Sequence, residues 1–351
     1  MRSETTGAPE AGARAGGPVP PRSAGLPGVL VAGVTALISG LSVFVNSYGV
    51  HAVTSPAVYT TAKNLVAAVI LFGCALAAWR TRNRWPASPA ARFVSVYRGG
   101  AMAGTERQMS RGSGLFRCIG LAYVGIVGGG LAFVLFFDGL ADTTATPAAF
   151  WRDTLVIWVA VLAVPILRER VTWWNMAAIV LLVVGEVAVT GGVGQLAASR
   201  GELLVLAASM LWAVEVVVAK ILLRGVAPAT LSLVRMGVGA LALVAYLAVS
   251  GPLHSLVSLD ASQVGWVLLT GLLLSGYVAT WMTALARARA LDVTSILVGS
   301  ALVTALLQAA AGTASLARPA LGLTLIAVGT GTVLWMGLHH PELRRRGAVV
   351  G

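Results

Sequence analysis

Six ionisable side chains stand within otherwise apolar stretches of this chain: Lys63, Arg152, Asp153, Glu186, Glu215 and Arg235. Placing such a group inside a bilayer costs on the order of 2.5–3.5 kcal/mol, so a charge kept there points to function or to pairing. Three are cations and three are anions, which makes mutual neutralisation available. A cavity that holds both signs suits a ligand that carries both, and favours a zwitterion over a hydrophobic cation. Lys63 and Arg235 are then candidates for a ligand carboxylate. Glu215 is the candidate for an ammonium group or a coupling proton, with Glu186 and Asp153 as further proton candidates. Asn64, Tyr59 and Trp281 are softer candidates along the same path. Asn46 and Ser47 read more simply as inter-helix hydrogen bonding, and Tyr277 as core or interfacial belt.

Several chemistries have no residues to perform them. The sequence contains neither a glycine-rich phosphate loop ending in Lys-Ser/Thr nor a His-Glu-x-x-His pair. The only adjacent histidines, His339 and His340, fall at the end of the last apolar run, where an interfacial role outweighs metal binding. Cys74 and Cys118 read as small buried hydrophobes, not as a disulfide or metal framework. No nucleophile–base cluster is apparent, so an enzyme is not expected, and neither is a metal or other cofactor. Any uphill work must draw on an ion gradient.

The elements that would position these charges are membrane helices. Hydrophobic residues make up 57% of the 351 residues and charged ones 11%, against roughly 25% charge in a soluble domain. Apolar runs of about 20 residues, the length needed to cross a hydrocarbon core, begin near Pro27, Pro56, Leu115, Pro147 and Thr172. A second five begin near Glu202, Ala229, Val264, Asp292 and Pro319. They are continuously apolar and not alternating, which favours helices over barrel strands. The expected fold is all-α, with ten transmembrane helices.

Basic residues sort by side. Of the 25 Lys and Arg, 20 fall in alternate connections, and the intervening ones carry only Arg200 and Arg318. The rich side stays cytoplasmic, so both termini lie inside. The formal net charge of +12 is thereby explained by loops facing anionic headgroups and not by nucleic acid. A bacterial inner (plasma) membrane is the expected location. Residues 1–26 read as a disordered tail and 339–351 as a second cytoplasmic tail, around five-run units at 27–190 and 202–338. A basic, Ser/Gly/Arg-rich segment at 80–114 reads as a surface loop. By this topology Lys63, Arg152, Asp153 and Glu186 belong to an outer cluster around Lys63. Glu215 and Arg235 form an inner pair. Arg152 and Asp153, being adjacent, point in different directions and cannot both neutralise one neighbour.

The two halves resemble one another. Ser55-Pro56 followed by Lys63 matches Ala227-Pro228 followed by Arg235, each cation seven residues after a proline that opens an apolar run. Five runs is an odd number, so the second half enters the membrane from the opposite face, giving an inverted repeat. The run Gly125 to Gly130 permits close backbone packing and a bend.

Over Gly28 to Leu338 the chain resembles the EamA family of the drug/metabolite transporter superfamily. Pro56 to Lys63 and Pro228 to Arg235 resemble the family's start of the second helix in each repeat. Phe136 to Leu140 with Thr143 to Ala145 resembles its third-to-fourth helix turn. Ile166 to Val171, around Glu169, resembles the end of its fourth helix, and Gly201 to Leu204 with Leu211 to Ala213 the opening of its second repeat. The sequence departs from the family in having Lys63 where Arg is common, in lacking a second counterpart of Glu169, and in the length of the 80–114 segment. The resemblance implies a secondary transporter working by alternating access, exporting amino acids or related small polar metabolites. Its partners would be the lipid bilayer and a small-molecule substrate, with a homodimer left open. Multidrug or cation efflux, or a non-transporting sensor or assembly subunit using 80–114, are the alternatives.

Overall fold

In a solvent that offers no hydrogen bonds, the backbone must satisfy itself, and every regular element among the described residues is helical. The computed structural model describes residues 28–339, apart from 54, 85–110, 144, 170, 193–198, 314–315 and 318. The expected tails, and the greater part of the 80–114 segment, lie outside those residues. At the edges of that segment the loop boundaries are corrected: helix continues to Arg84 and resumes at Arg111.

The first half comprises α1 (Gly28–Ala52), α2 (Pro56–Arg84), α3 (Arg111–Ala122), a π-helical segment (Tyr123–Leu131) and α4 (Ala132–Ala141). It closes with α5 (Ala145–Asp153), α6 (Leu155–Leu167) and α7 (Trp173–Val189). The second half comprises α8 (Arg200–Leu222), α9 (Pro228–Ser250), a 3-10 turn (Pro252–Leu256) and α10 (Ala261–Arg287). α11 (Ala290–Val298), α12 (Ser300–Ala310) and α13 (Ala320–His339) complete it. α3, the π segment and α4 form one continuous span, as do α5–α6 and α11–α12. Nine spans among the described residues are long and apolar enough to cross a membrane. The tenth, α7, has 17 residues. Its start is fixed by a reciprocal cap: the Thr172 hydroxyl accepts from the Asn175 N–H, and the Asn175 side chain accepts in return from the Thr172 N–H.

The fourth span of each half is interrupted near its middle. Thr154 (ψ −13°) separates α5 from α6, and Gly299 (ψ −12°) separates α11 from α12. Both joints use an i→i+3 bond, from Ile157 N to Thr154 O and from Leu302 N to Gly299 O, so each is one residue of 3-10 geometry. Thr154 assists by donating its hydroxyl to the Trp151 carbonyl at 2.6 Å. The two joints face each other, and Arg152 reaches across to the Ser300 hydroxyl at 3.3 Å.

Cys74 and Cys118 are free but exposed on the outer surface of their helices. The expected burial of both cysteines is thereby corrected: each points away from the bundle.

One end of the bundle is tied by polar contacts between the halves. Arg168 adopts a left-handed conformation (φ 54°) at the end of α6, and Glu169 follows it. The Glu169 carboxylate accepts from the N–H groups of Ala290 (2.7 Å) and Leu291 (3.1 Å), so a first-half side chain caps the start of α11. Burial pushes the Glu169 carboxyl above its usual range, while the two N–H donors pull it back. Nearby, Arg289 forms a two-point pair with Asp292 at 2.8 and 2.7 Å and contacts Asn175 at 3.4 Å. Lys220 donates to the carbonyls of Leu285 and Ala288, closing the end of α10. Glu169→Ala removes one such tie. Loss of an N-terminal cap costs about 1 kcal/mol, so the melting temperature in detergent should fall by a few degrees.

Candidate functional site

A cavity of about 160 Å3 lies between the halves. Its walls come from the second half of α1, the start of α2, α4, the α5–α6 joint, the middle of α8, and from α9, α10 and α11. It therefore extends toward the face at which α1 passes to α2 and α4 to α5. The Glu169 and Lys220 contacts close the opposite face. Aromatic rings form much of the wall: Phe133, Phe136 and Phe137 from α4, Trp212 from α8, and Tyr277 and Trp281 from α10.

Lys63, Arg235, Glu215, Asp153 and Trp281 line this space. Tyr59, Asn64 and Glu186 stand behind the wall. Glu215 and Arg235 do form the expected pair: Arg235 Nε and Nη2 donate to the two carboxylate oxygens at 2.5 and 3.1 Å, with both side chains buried. The fork-to-carboxylate geometry is the strongest an ion pair adopts.

The outer group does not gather around Lys63. Among the described residues Lys63 pairs with no carboxylate. Its ammonium group donates to Asn46 Oδ1 at 2.9 Å and sits 3.6 Å from the centre of the Phe137 ring. Asn46 Oδ1 also accepts from the Tyr59 hydroxyl at 2.7 Å, and its amide nitrogen donates to the Ser42 carbonyl at 2.7 Å. Lys63 is thus a buried amine held by an amide oxygen and π faces, with no carboxylate against it among the described residues. Arg152 and Asp153 meanwhile neutralise one another, at 2.8 Å from Nε to Oδ1. Adjacency does not keep them apart, because the helix stops at Asp153 and the Arg152 stem is free to fold back. Glu186 lies with Asp153 around a smaller void of about 10 Å3 behind the cavity.

The glycine run is more than a bend. Tyr123–Leu131 is a π-helix, with Ala132 N–H bonding the Val127 carbonyl five residues back. That register turns carbonyls toward side chains of other helices. Gly128 O accepts from Trp212 Nε1 at 3.1 Å and from Arg235 Nη2 at 3.4 Å, and Gly129 O accepts from Asn64 Nδ2 at 3.4 Å. Glycine is required here. A Cβ at 128 would run into the Glu215 carboxyl, and one at 129 into the Arg235 carbonyl. Asn64 is accordingly a brace for the π segment, and Tyr59 a brace for Asn46.

The sequence reading gives Asn46 inter-helix hydrogen bonding, which it makes to Tyr59 and Lys63, but passes over Ser39 and Ser42. Their spacing, i, i+3 and i+7 along α1, is a polar stripe on one helical face, and all three line the cavity. That stripe was the available signal.

A helical bundle with several apolar spans, enclosing charged groups from both halves, defines a multi-pass membrane protein with an internal polar site. The EamA-like transporter family model matches residues 26–191 and 199–335. The chain belongs to that family, and so to the drug/metabolite transporter superfamily. Members of the family are transporters, not enzymes. No curated protein matches. Among solved structures, one described as "Crystal structure of protein" is similar with a TM-score of 0.61 at 16% identity, covering 90% of this chain and 98% of that one. At that identity the likeness concerns the fold alone.

Proposed function

We propose that the protein is a secondary transporter, an exporter of small zwitterionic metabolites such as amino acids, in a bacterial inner membrane. Its two five-span halves act as inverted repeats that open the cavity to alternate faces, with both termini and the arginine-rich connections cytoplasmic. The observation that carries this reading is Lys63, a buried cation on the cavity wall with no carboxylate of its own. A substrate carboxylate supplies what is missing. The Glu215–Arg235 pair presents both signs to the same cavity, so Glu215 can take the ammonium group and Arg235 the carboxylate when the substrate turns. Trp281 and the other rings accept an apolar side chain. By the orientation assigned to the arginine-rich loops, the tied face is cytoplasmic and the cavity lies toward the outside. Transport draws on a proton gradient, for which the carboxyls Glu215, Glu186 and Asp153 are the candidate carriers.

The aromatic wall also favours a second reading, efflux of a lipophilic cation. Lys63→Met separates the two. A charged hydrogen bond contributes about 1.5–3 kcal/mol, so amino-acid transport should weaken by roughly 10–100-fold. Cation efflux should instead persist or rise. The substitution orphans no buried anion, so the variant should melt no lower than the wild type. Metabolite profiling of cells lacking or overproducing the protein supplies the compound, and proteoliposome flux tests it. A sensor or assembly subunit would be exposed differently: deleting residues 85–110 should leave flux intact in a transporter.

A further inference from the structure

Two buried carboxyl oxygens, from residues that line one small void, lack a donor. Asp153 Oδ1 is taken by Arg152, but Asp153 Oδ2 has no hydrogen-bond partner, and neither has Glu186 Oε1. Both residues are more than nine-tenths buried. They share the lining of the small void between α5 and α7, and the two carboxyls are within hydrogen-bonding reach. A pair of ionised carboxylates offers acceptors only, so such an arrangement leaves both oxygens unsatisfied. A single proton on either one converts the contact into a hydrogen bond and satisfies both. Two like charges this close cannot both remain ionised without strong repulsion.

We propose that Asp153 and Glu186 form a proton-binding pair, one proton held between Asp153 Oδ2 and Glu186 Oε1, through which substrate export is coupled to proton entry. The inference rests on reading the cavity as a transport site. It narrows the proton carrier to this pair and removes Glu215, whose two oxygens are already engaged by Arg235.

The surroundings favour this assignment. Arg152 is the cation in contact with the pair, and Tyr277 of α10 shares the main cavity with it, as do Lys63 and the mutually paired Glu215 and Arg235. The other acids of the packed elements are engaged elsewhere. Glu202 of α8 accepts from Trp151 Nε1 at 2.8 Å, Asp292 of α11 is held by Arg289, and Asp142 at the end of α4 pairs with Arg200. Asp138 of α4 lies near Asp142 and Arg200. Ser300 of α12 and Ser209 of α8 bring hydroxyls to Arg152 but no charge. The titratable residue of α13 is His339, at its exposed end.

The charge count then gives the coupling. Arg152, Asp153 and Glu186 sum to +1 − 1 − 1 = −1 without the proton and to 0 with it. Asp153 and Arg152 line the main cavity, whereas Glu186 does not. A substrate ammonium group in that cavity is therefore favoured once the proton has left, and disfavoured when the proton returns. Proton and substrate exclude each other at this point, as exchange in opposite directions requires.

Infrared spectra and flux of the full-length protein in proteoliposomes test the proposal. The wild type at neutral pH should show the carbonyl stretch of a protonated carboxylic acid, lost in Glu186→Gln and in Asp153→Asn. Glu186→Gln keeps the Arg152–Asp153 pair and so the better prospect of folding. A radiolabelled amino-acid mixture is the flux probe. In Glu186→Gln, accumulation driven by a pH gradient should drop to the level of protein-free liposomes, while substrate-for-substrate exchange continues. Absence of the band in the wild type, its survival in both variants, or full pH-driven accumulation in Glu186→Gln would each overturn the proposal. If the wild type exchanges no amino acid, the substrate assignment fails, and the infrared result still decides the proton site.

Discussion

Replacing Arg235 by Met should destabilise the protein by about 3–5 kcal/mol, the cost of stranding one member of a buried ion pair, and should end transport. The Glu215 carboxylate would keep its place at 3% side-chain exposure, with only neutral neighbours such as Trp212 and the Gly128 carbonyl around it. A second substitution distinguishes structure from function. Adding Glu215→Gln removes the stranded charge, so the double variant should recover much of the lost stability, as replacing a whole buried pair usually permits. Transport should not return with it, because both signs have left the wall. Thermal melts in detergent and proteoliposome uptake, measured on the same preparations, check both halves. A single Arg235→Met variant that melts with the wild type would contradict the description of the pair as dry.

Gly129→Ala should be as damaging without touching a charge. The added methyl would collide with the Arg235 carbonyl and come within 3.2 Å of the Gly239 Cα. Those are backbone atoms, which no rotamer change can withdraw. Overpacking of this kind costs about 1–3 kcal/mol or more, and separating α9 from the π segment would also stretch the Asn64 and Trp212 contacts to Gly129 and Gly128. We expect little folded protein from this variant. Gly237→Ala, on the facing helix α9 with nothing within 4 Å of the new carbon, is the matched control. It should be neutral or stabilising by about 0.5–1 kcal/mol.

The helical spans were legible because hydropathy is local: each run carries its own length, and even the shortest, α7, falls where its run predicts, between Thr172 and Thr190 as flanking caps. The Glu215–Arg235 pair was legible because residue number fixes depth along a helix of known rise. Depth says nothing about azimuth, and there the reading went astray. Lys63, Arg152, Asp153 and Glu186 share a level in the expected topology, yet Lys63 turns to Asn46 and Phe137 while the other three gather at the α5–α6 joint. That joint is a one-residue departure at Thr154, too small to leave a mark in composition. The π segment was hidden for the same reason. Its glycines signalled close approach, but the extra residue in the turn depends on what Trp212, Arg235 and Asn64 require of the carbonyls.

The unmatched state of Lys63 also bears on how the protein is made. Chains emerge from the N-terminus, so Arg235 arrives one helix after Glu215 and the two can enter the lipid as a neutral hairpin. Lys63 has no such predecessor. Asn46 precedes it, but the Phe137 ring that covers the ammonium is synthesised later, beyond the whole stretch from α2 to α4. Until that helix docks, α2 holds a cation whose shelter is incomplete. Translating the roughly seventy residues from Lys63 to Phe137 takes several seconds at ordinary elongation rates, and for that interval the side chain lacks its final cover.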